Sequence, residues 1–332
     1  MDPITHGLAS YSLTRAIFPR ATRVTVACAI LAGMAADVDG FSRYATAEAF
    51  LTWHRTYLHS ITGLIAIGIS FFAIAMFAER RSANRDSAAV VLVAVAAVST
   101  LHIAMDLTQN DTVELFWPMR TAGYAADWVA SFDLWILLIL LAGVLLPQLL
   151  GLVTEEIGAK SKSPRGRIGA MLALAAVGAY VGGRAILHAN AVGTMEARTY
   201  RGEMPRRVAA FAEPDSPLRW RGMVETERAL HEFDLDLMGA ASFNPESGVI
   251  IYKPEPSPAL ESARNTRTAR FFLQMARFPA ASVEKTATGF RVQIRDLTSP
   301  RDEGQSGRRV MVVAETDASA KVVNDELVWS KF

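Results

Sequence analysis

Four long apolar segments constrain the fold of this chain most. They cover residues 61–78, 87–105, 134–153 and 168–187, and Arg184 is the sole charged residue among them. Each is as long as a helix must be to cross a hydrocarbon core of about 30 Å. Helices of soluble proteins rarely come four in a row at this length with so little charge. The sequence therefore predicts an all-α membrane domain of about five to six helical segments over residues 1–189.

The N-terminal segment is shorter and only partly apolar. Residues 3–18 and 24–36 are separated by a turn, in which Pro19 ends one helix and Thr22 caps the next. The expected structure is an antiparallel helical hairpin, whose first helix is about 24 Å long at about 1.5 Å per residue. That length brings His6 back to the level of Asp37. The alternative for residues 3–18 is an amphipathic helix on the membrane surface.

Residues 190–332 have a different pattern. Valine, isoleucine and aromatic residues predict strands within 218–237 and at 249–253, 289–295 and 309–314. Residues 259–278 predict a helix with its aromatic residues on one side. This combination is typical of a small α+β domain with an antiparallel sheet.

Lysine and arginine placement predicts the orientation in the membrane. Residues 15–23, 80–85 and 160–167 together contain ten Lys and Arg, whereas the opposite set of loops contains three, Arg43, Arg55 and Arg120. The first set should face the cytoplasm. The opposite loops and the C-terminal domain should then face outward, on the periplasmic side.

Charge and cysteine content exclude two further classes of protein. The formal net charge of +1 provides no basic field for nucleic acid. The single cysteine, Cys28, lies in an apolar run and excludes a disulfide framework and a cysteine-ligated zinc finger.

Histidines and aspartates collect at the predicted outer ends of the helices. His102 and Asp106 are four residues apart and so share a helix face. His54 and His59 are five apart, so they converge only if His54 lies in a loop and His59 begins the helix. Each group alone also fits a structural role, as a solvated helix end, an interfacial segment or a helix cap.

Together these groups predict a metal site. Imidazole and carboxylate ligands suit Zn²⁺, with Mn²⁺ or Fe²⁺ as alternatives, and the number of candidates allows one or two divalent ions. Such ions activate water and neutralise an ester or phosphoryl oxygen. The predicted ligands are His6, Asp37, Asp39, His59, His102 and Asp106.

The motifs of residues 1–150 resemble one family. They are Thr5-His6-Gly7, Asp37-x-Asp39, His54-Arg55-x-x-x-His59-Ser60, His102-x-x-x-Asp106, Phe116-Trp117-Pro118 and Phe132-Asp133. This set resembles the LexA-regulated, membrane-bound metal-dependent hydrolases, and the C-terminal part, including residues 290–297, looks like the extension of longer members. The resemblance implies a phospholipase-like hydrolase of the bacterial inner membrane that uses a divalent metal.

The predicted function is metal-dependent hydrolysis of an ester or phosphoester in a lipid or lipid-linked substrate. His54 is a candidate metal ligand or general base, and Arg55 is a candidate phosphate ligand. Asp133 either completes the site or orients a ligating histidine. Two alternatives remain at this point. One is a metal or proton transporter, and the other is a receptor or assembly protein with a structural metal.

Overall fold

A computed structural model of the protein describes residues 1–80, 82, 84–156, 166–237, 243–298 and 309–330, with the backbone alone for 152–156. The chain divides into two compact units. The first consists of Met1–Gly40, His54–Asn190 and Ala212–Trp220, and the second of Phe41–Trp53, Ala191–Phe211 and Arg221–Phe332.

The helices of the first unit follow the apolar segments. They are α1 (Pro3–Ile17), α2 (Arg23–Met34), α4 (Ile61–Glu79), α5 (Ala88–Leu107), α6 (Leu134–Glu156) and α7 (Arg167–Glu196). A 3-10 segment, Ala35–Tyr44, follows α2. Most of the basic segment 160–167 lies outside the described residues.

Five helices of the described chain are long and apolar enough to cross a membrane. The candidate spans are Arg23–Tyr44, Ile61–Glu79, Ala88–Leu107, Leu134–Gly151 and Arg167–Glu196. Large apolar side chains such as Ile65, Ile69, Leu149 and Leu172 are exposed on them. A surface of this kind is stable only against lipid, which confirms the predicted membrane domain.

The predicted N-terminal hairpin is confirmed. Asp2 caps α1 by accepting a hydrogen bond from the Thr5 backbone N–H, and Thr22 caps α2 by accepting one from Thr25. Helix α1 packs against α2, α5 and α6, and its buried side is polar. Helix α1 therefore packs within the helical bundle, as the hairpin interpretation predicts.

The second unit contains two four-stranded antiparallel sheets in its described part. Strands β1 (Arg207–Ala212), β2 (Arg219–Glu225), β3 (Ala229–Asp236) and β4 (Val249–Tyr252) form one sheet in chain order. Strands β5 (Pro279–Lys285), β6 (Gly289–Asp296), β7 (Arg309–Asp317) and β8 (Val322–Ser330) form the other. The predicted α+β class is confirmed.

The helix predicted over 259–278 is two shorter helices. They are α8 (Pro258–Arg264) and α9 (Arg267–Met275), and Thr266 caps the second by accepting a hydrogen bond from the Ala269 N–H. Both pack on the second sheet, where Leu260 and Phe272 meet Ile294 and Val312. Helix α3 (Ala47–Trp53), from the loop after α2, also packs on this sheet and places Phe50 5.2 Å from Trp329 between ring centroids.

Candidate metal centre

Helix α5 supplies two candidate ligands from its last turns. His102 and Asp106 lie one turn apart, and His102 Nε2 is 3.1 Å from Asp106 Oδ2. The other ring nitrogen, Nδ1, donates a hydrogen bond to the backbone carbonyl of Gly33 at 2.8 Å. Because Nδ1 carries the proton, the lone pair of Nε2 is free to bind a cation.

The N-terminal hairpin brings His6 and Asp37 to the same place. His6 Nε2 lies 3.1 Å from Asp106 Oδ1, and its ring centroid is 4.0 Å from that of His102. Asp37 lies in the 3-10 segment directly after α2. The expectation that the hairpin returns His6 to the level of Asp37 is confirmed.

Four side chains thus form a cluster of possible metal ligands. One ligand atom from each of His6, Asp37, His102 and Asp106 lies within 4.8 Å of the other three. His6, His102 and Asp106 are at most 1% exposed.

The cluster contains buried polar atoms without partners. Among the described residues, Asp37 Oδ2, His59 Nε2, His102 Nε2 and Asp106 Oδ2 are buried and make no hydrogen bond. Burying an unsatisfied polar atom costs about 1–3 kcal/mol, so several at one point require a compensating group. A cation would satisfy Asp37 Oδ2, His102 Nε2 and Asp106 Oδ2, which belong to the cluster, and the residues therefore fit a metal ion.

His59 approaches this cluster from the loop that precedes α4. Its Nε2 is 3.2 Å from Asp106 Oδ2 and 3.7 Å from Asp37 Oδ1, while Nδ1 donates to Asp39 Oδ2 at 2.8 Å. Burial disfavours the charged ring, but Asp106, Asp37 and Asp39 outweigh burial and raise the pKa of His59 to about 10. A proton on Nε2 therefore balances the carboxylates when no cation does.

The pKa of His6 shifts in the opposite direction to that of His59. Burial and the neighbouring His102 together lower its pKa to about 4, despite the attraction of Asp106. The ring is therefore neutral at physiological pH. A neutral imidazole is the form that binds metals.

Asp39 connects the loop histidines. Its carboxylate accepts hydrogen bonds from His54 Nδ1 at 3.1 Å, from His59 Nδ1 at 2.8 Å and from the Arg55 backbone N–H at 2.8 Å. The loop position of His54 is confirmed, and Ser60 caps α4 just after His59. Asp39 thus orients a candidate ligand, which is the usual arrangement behind a metal-binding histidine.

Two contacts in the site have no counterpart among the predicted residues. The fully buried Gln109 donates from Nε2 to Asp106 Oδ1 and accepts from Arg55 at Oε1. Its position three residues after Asp106, at the end of α5, is the signal that could have found it. The amine nitrogen of Met1 also lies 2.5 Å from Asp106 Oδ1.

Asp133 lies at the start of α6. Its Oδ1 accepts hydrogen bonds from the backbone N–H groups of Trp135 and Ile136, and Oδ2 accepts one from the Tyr180 hydroxyl. Those bonds make it the N-cap of α6, tied to α7. The predicted histidine partner is replaced by a tyrosine.

Arg184 is buried within the first unit. Its Nε donates to the Trp128 carbonyl, NH1 donates to the Ser216 carbonyl, and the guanidinium lies 4.2 Å from the Trp220 ring centroid. A charge in an apolar helix is thus accommodated by carbonyl oxygens and an aromatic face.

Comparison with known proteins gives one match. A profile of the family described as YdjM inner membrane protein matches residues 1–191, which include every residue of the cluster. No curated protein matches the chain, and no solved structure does. The matched region covers more than half of the chain and coincides with the membrane helices. The chain therefore belongs to the YdjM inner membrane protein family.

Proposed function

We propose that this protein is a metal-dependent hydrolase of the inner membrane that cleaves an ester or phosphoester in a lipid or lipid-linked substrate. The observation that carries the proposal is the convergence of His6, Asp37, His102 and Asp106 within 4.8 Å. Three of these residues have an atom without a partner among the described residues, and Asp37 Oδ2, His102 Nε2 and Asp106 Oδ2 suit a divalent ion, with Zn²⁺ the first choice.

The chain's own residues hold and orient the proposed centre. A divalent cation, when bound, supplies a Lewis acid that polarises an ester oxygen and lowers the pKa of water. The Gly33 carbonyl fixes the ring of His102, and Asp39 fixes the ring of His59. The two oxygens of Asp106 have different neighbours: Oδ1 accepts from Gln109 and lies 3.1 Å from His6 Nε2, while Oδ2 faces His59 and His102.

His54 is the proposed general base. Its ring is a quarter exposed, whereas the ring of His59 is 1% exposed, so it borders the buried cluster on the side of solvent. Asp39 accepts a hydrogen bond from Nδ1 and so orients the ring, and an imidazole is the side chain most often used to take a proton from water.

The substrate follows from the position of the cluster. The candidate ligands lie at the end of α5, just after α2 and just before α4, at one end of the candidate spans. The Lys and Arg distribution favours the periplasmic face for that end. A lipid headgroup is present at high local concentration there.

The proposal is tested by hydrolysis assays on the detergent-purified protein. A chromogenic phosphodiester and a short-chain phospholipid are offered to metal-stripped and Zn²⁺-reloaded protein. We expect hydrolysis to depend on the metal. Its rate should fall at least about a hundredfold in His102→Gln. His188→Gln is the matched control, since His188 lies on α7 outside the cluster. Folded, metal-loaded protein without hydrolysis of any ester contradicts the proposal.

Burial of the cluster favours a second candidate, a structural metal site. His6, His102 and Asp106 are almost fully enclosed, and structural sites are closed whereas catalytic sites keep an open position. In that case the metal ties α1 to α5 and the 3-10 segment. Chelation then lowers the melting temperature strongly, and reloading restores it, without any hydrolysis.

A further inference from the structure

Arg55 is a buried cation whose hydrogen-bonding capacity is largely unused. Its side chain is 8% exposed, and among the described residues only NH2 has a hydrogen-bond partner, Gln109 Oε1 at 3.1 Å. Nε and NH1 are buried without a partner among the described residues. These two atoms carry three N–H donors in fixed planar geometry.

The guanidinium is placed beside the candidate metal centre by a single connecting side chain. Gln109 accepts from Arg55 through Oε1 and donates to Asp106 Oδ1 through Nε2. One amide thus joins a metal-ligand candidate to the buried cation. Any ligand that occupies the free donors of Arg55 therefore lies next to the cluster.

The backbone at Arg55 holds the side chain there at a cost. Arg55 has a φ of 60°, in the left-handed region that residues other than glycine and asparagine rarely adopt. Its N–H donates to Asp39 Oδ2, the oxygen that also accepts from His59. The residue that orients His59 therefore also fixes the position of Arg55. Such backbone strain collects at functional sites.

The free donors call for an anion. Asp111 Oδ2 lies 3.7 Å from NH2, beyond hydrogen-bond distance, and Gln109 is neutral. We propose that Arg55 binds an oxyanion of the substrate through Nε and NH1, and that this oxyanion belongs to a phosphoryl group. The inference rests on the proposed function and narrows its substrate from esters in general to phosphoesters.

A phosphoryl group fits this arrangement better than a neutral ester. It carries charge and several oxygens, each of which can accept hydrogen bonds from the guanidinium. A neutral carboxylic ester would leave the three N–H groups without a charged partner. Charge-assisted hydrogen bonds to arginine are among the stronger polar contacts in proteins.

The test measures binding of inorganic phosphate to the metal-loaded, full-length protein in detergent by calorimetry, with metal content determined on the same samples. Arg55→Asn is the main variant, because asparagine tolerates a positive φ. Arg55→Lys keeps the charge without the planar fork. Arg120→Asn is the control, since Arg120 is exposed and its replacement changes the net charge equally. Dihexanoylphosphatidic acid and dihexanoylglycerol are titrated beside phosphate.

We expect phosphate binding to weaken about 10- to 100-fold in Arg55→Asn, less in Arg55→Lys and not in Arg120→Asn, with metal content unchanged throughout. If dihexanoylphosphatidic acid binds more tightly than phosphate, the phosphoryl group belongs to a lipid substrate. Arg55-dependent binding of phosphate alone assigns it to a soluble phosphoester. Both results support the inference, and dihexanoylglycerol should not bind in an Arg55-dependent way.

Two results overturn the inference, and only the second also contradicts the proposed hydrolase function. If metal-loaded wild type and Arg55→Asn bind phosphate equally, or neither binds it, Arg55 is not an anion site while the proposed hydrolase stands. If the wild-type protein holds no metal and binds no phosphate, the proposed function fails as well.

Discussion

At the scale of single residues, the candidate site depends on backbone groups as well as on ionisable side chains. The carbonyl oxygen of Gly33 fixes which nitrogen of His102 is protonated. The same glycine lets α1 approach α2, because a Cβ there would lie 1.9 Å from Ser10 Oγ. A backbone position on α2 thus controls both the ligand and the hairpin that delivers His6.

Replacement of Gly33 by alanine should therefore weaken metal binding as well as stability. The added methyl group pushes α1 from α2, and overpacking of this kind costs about 1–3 kcal/mol. Gly178→Ala is the control, since a Cβ there meets nothing within 4 Å. Thermal unfolding and metal content are measured on both variants. Equal metal content and equal melting temperature in Gly33→Ala and wild type would refute this reading of Gly33.

His231 predicts a pH dependence of stability outside the membrane helices. Burial lowers its pKa below the ordinary 6.5, and its Nδ1 is buried without a hydrogen-bond partner among the described residues. The unfolded chain therefore binds the proton more tightly. Stability conferred by the neutral ring is complete above pH 6.5 and is lost as pH falls through 6.5 towards the folded-state pKa.

Melting temperatures between pH 7.5 and 5.0 should accordingly fall more steeply for wild type than for His231→Gln. The comparison isolates His231 because both proteins share every other titratable group. Parallel curves would show that His231 does not contribute.

At the scale of elements, close contact between α6 and α7 depends on small residues. A Cβ added at Gly143 would lie 2.3 Å from Ala173 Cβ, and one at Gly169 would lie 2.5 Å from the Gly143 carbonyl oxygen. Small residues that let backbones approach are typical of helix pairs in membranes.

Gly169→Ala should lower the melting temperature of the protein by several degrees, because the contact is with backbone and cannot be relieved by a rotamer change. Gly182→Ala, on the same helix, should leave the melting temperature unchanged, because a Cβ at Gly182 meets nothing within 4 Å. Circular dichroism in detergent checks both, and equal melting temperatures would show that α6 and α7 tolerate a wider spacing.

Elements differ in how well the sequence predicts them. The apolar segments predicted the long helices because hydropathy alone selects them, and the four-residue spacing predicted that His102 and Asp106 meet. Strand β1 (RVAAFA) was missed because alanine gives no strand signal, and β8 because Asn324, Asp325 and Glu326 interrupt its apolar residues. The central role of Asp39 depends on loop geometry that no spacing encodes.

At the scale of the whole molecule, the orientation in the membrane is a prediction from charge. The turn between α1 and α2 and the helix ends beside it contain Arg15, Arg20 and Arg23, whereas the segment between α5 and α6 contains one basic residue, Arg120. If the bias holds, the cluster at the end of α5 faces the periplasm.

Cysteine labelling tests this orientation, because Cys28 is the single native cysteine and is buried. In a Cys28→Ser background, Met119→Cys should react with a membrane-impermeant maleimide in spheroplasts, since Met119 is 75% exposed. Arg20→Cys should react only after lysis. The reverse pattern would place the candidate site on the cytoplasmic side.

The most direct test of the central claim is the metal content of the purified protein by elemental mass spectrometry. The wild-type protein and Asp106→Asn are compared, with Asp215→Asn as the control, because Asp215 is exposed and outside the cluster. We expect about one or two equivalents of a divalent metal in wild type and Asp215→Asn, and a clear loss in folded Asp106→Asn. A folded wild-type protein without stoichiometric metal, or an Asp106→Asn variant with full metal content, would contradict the account.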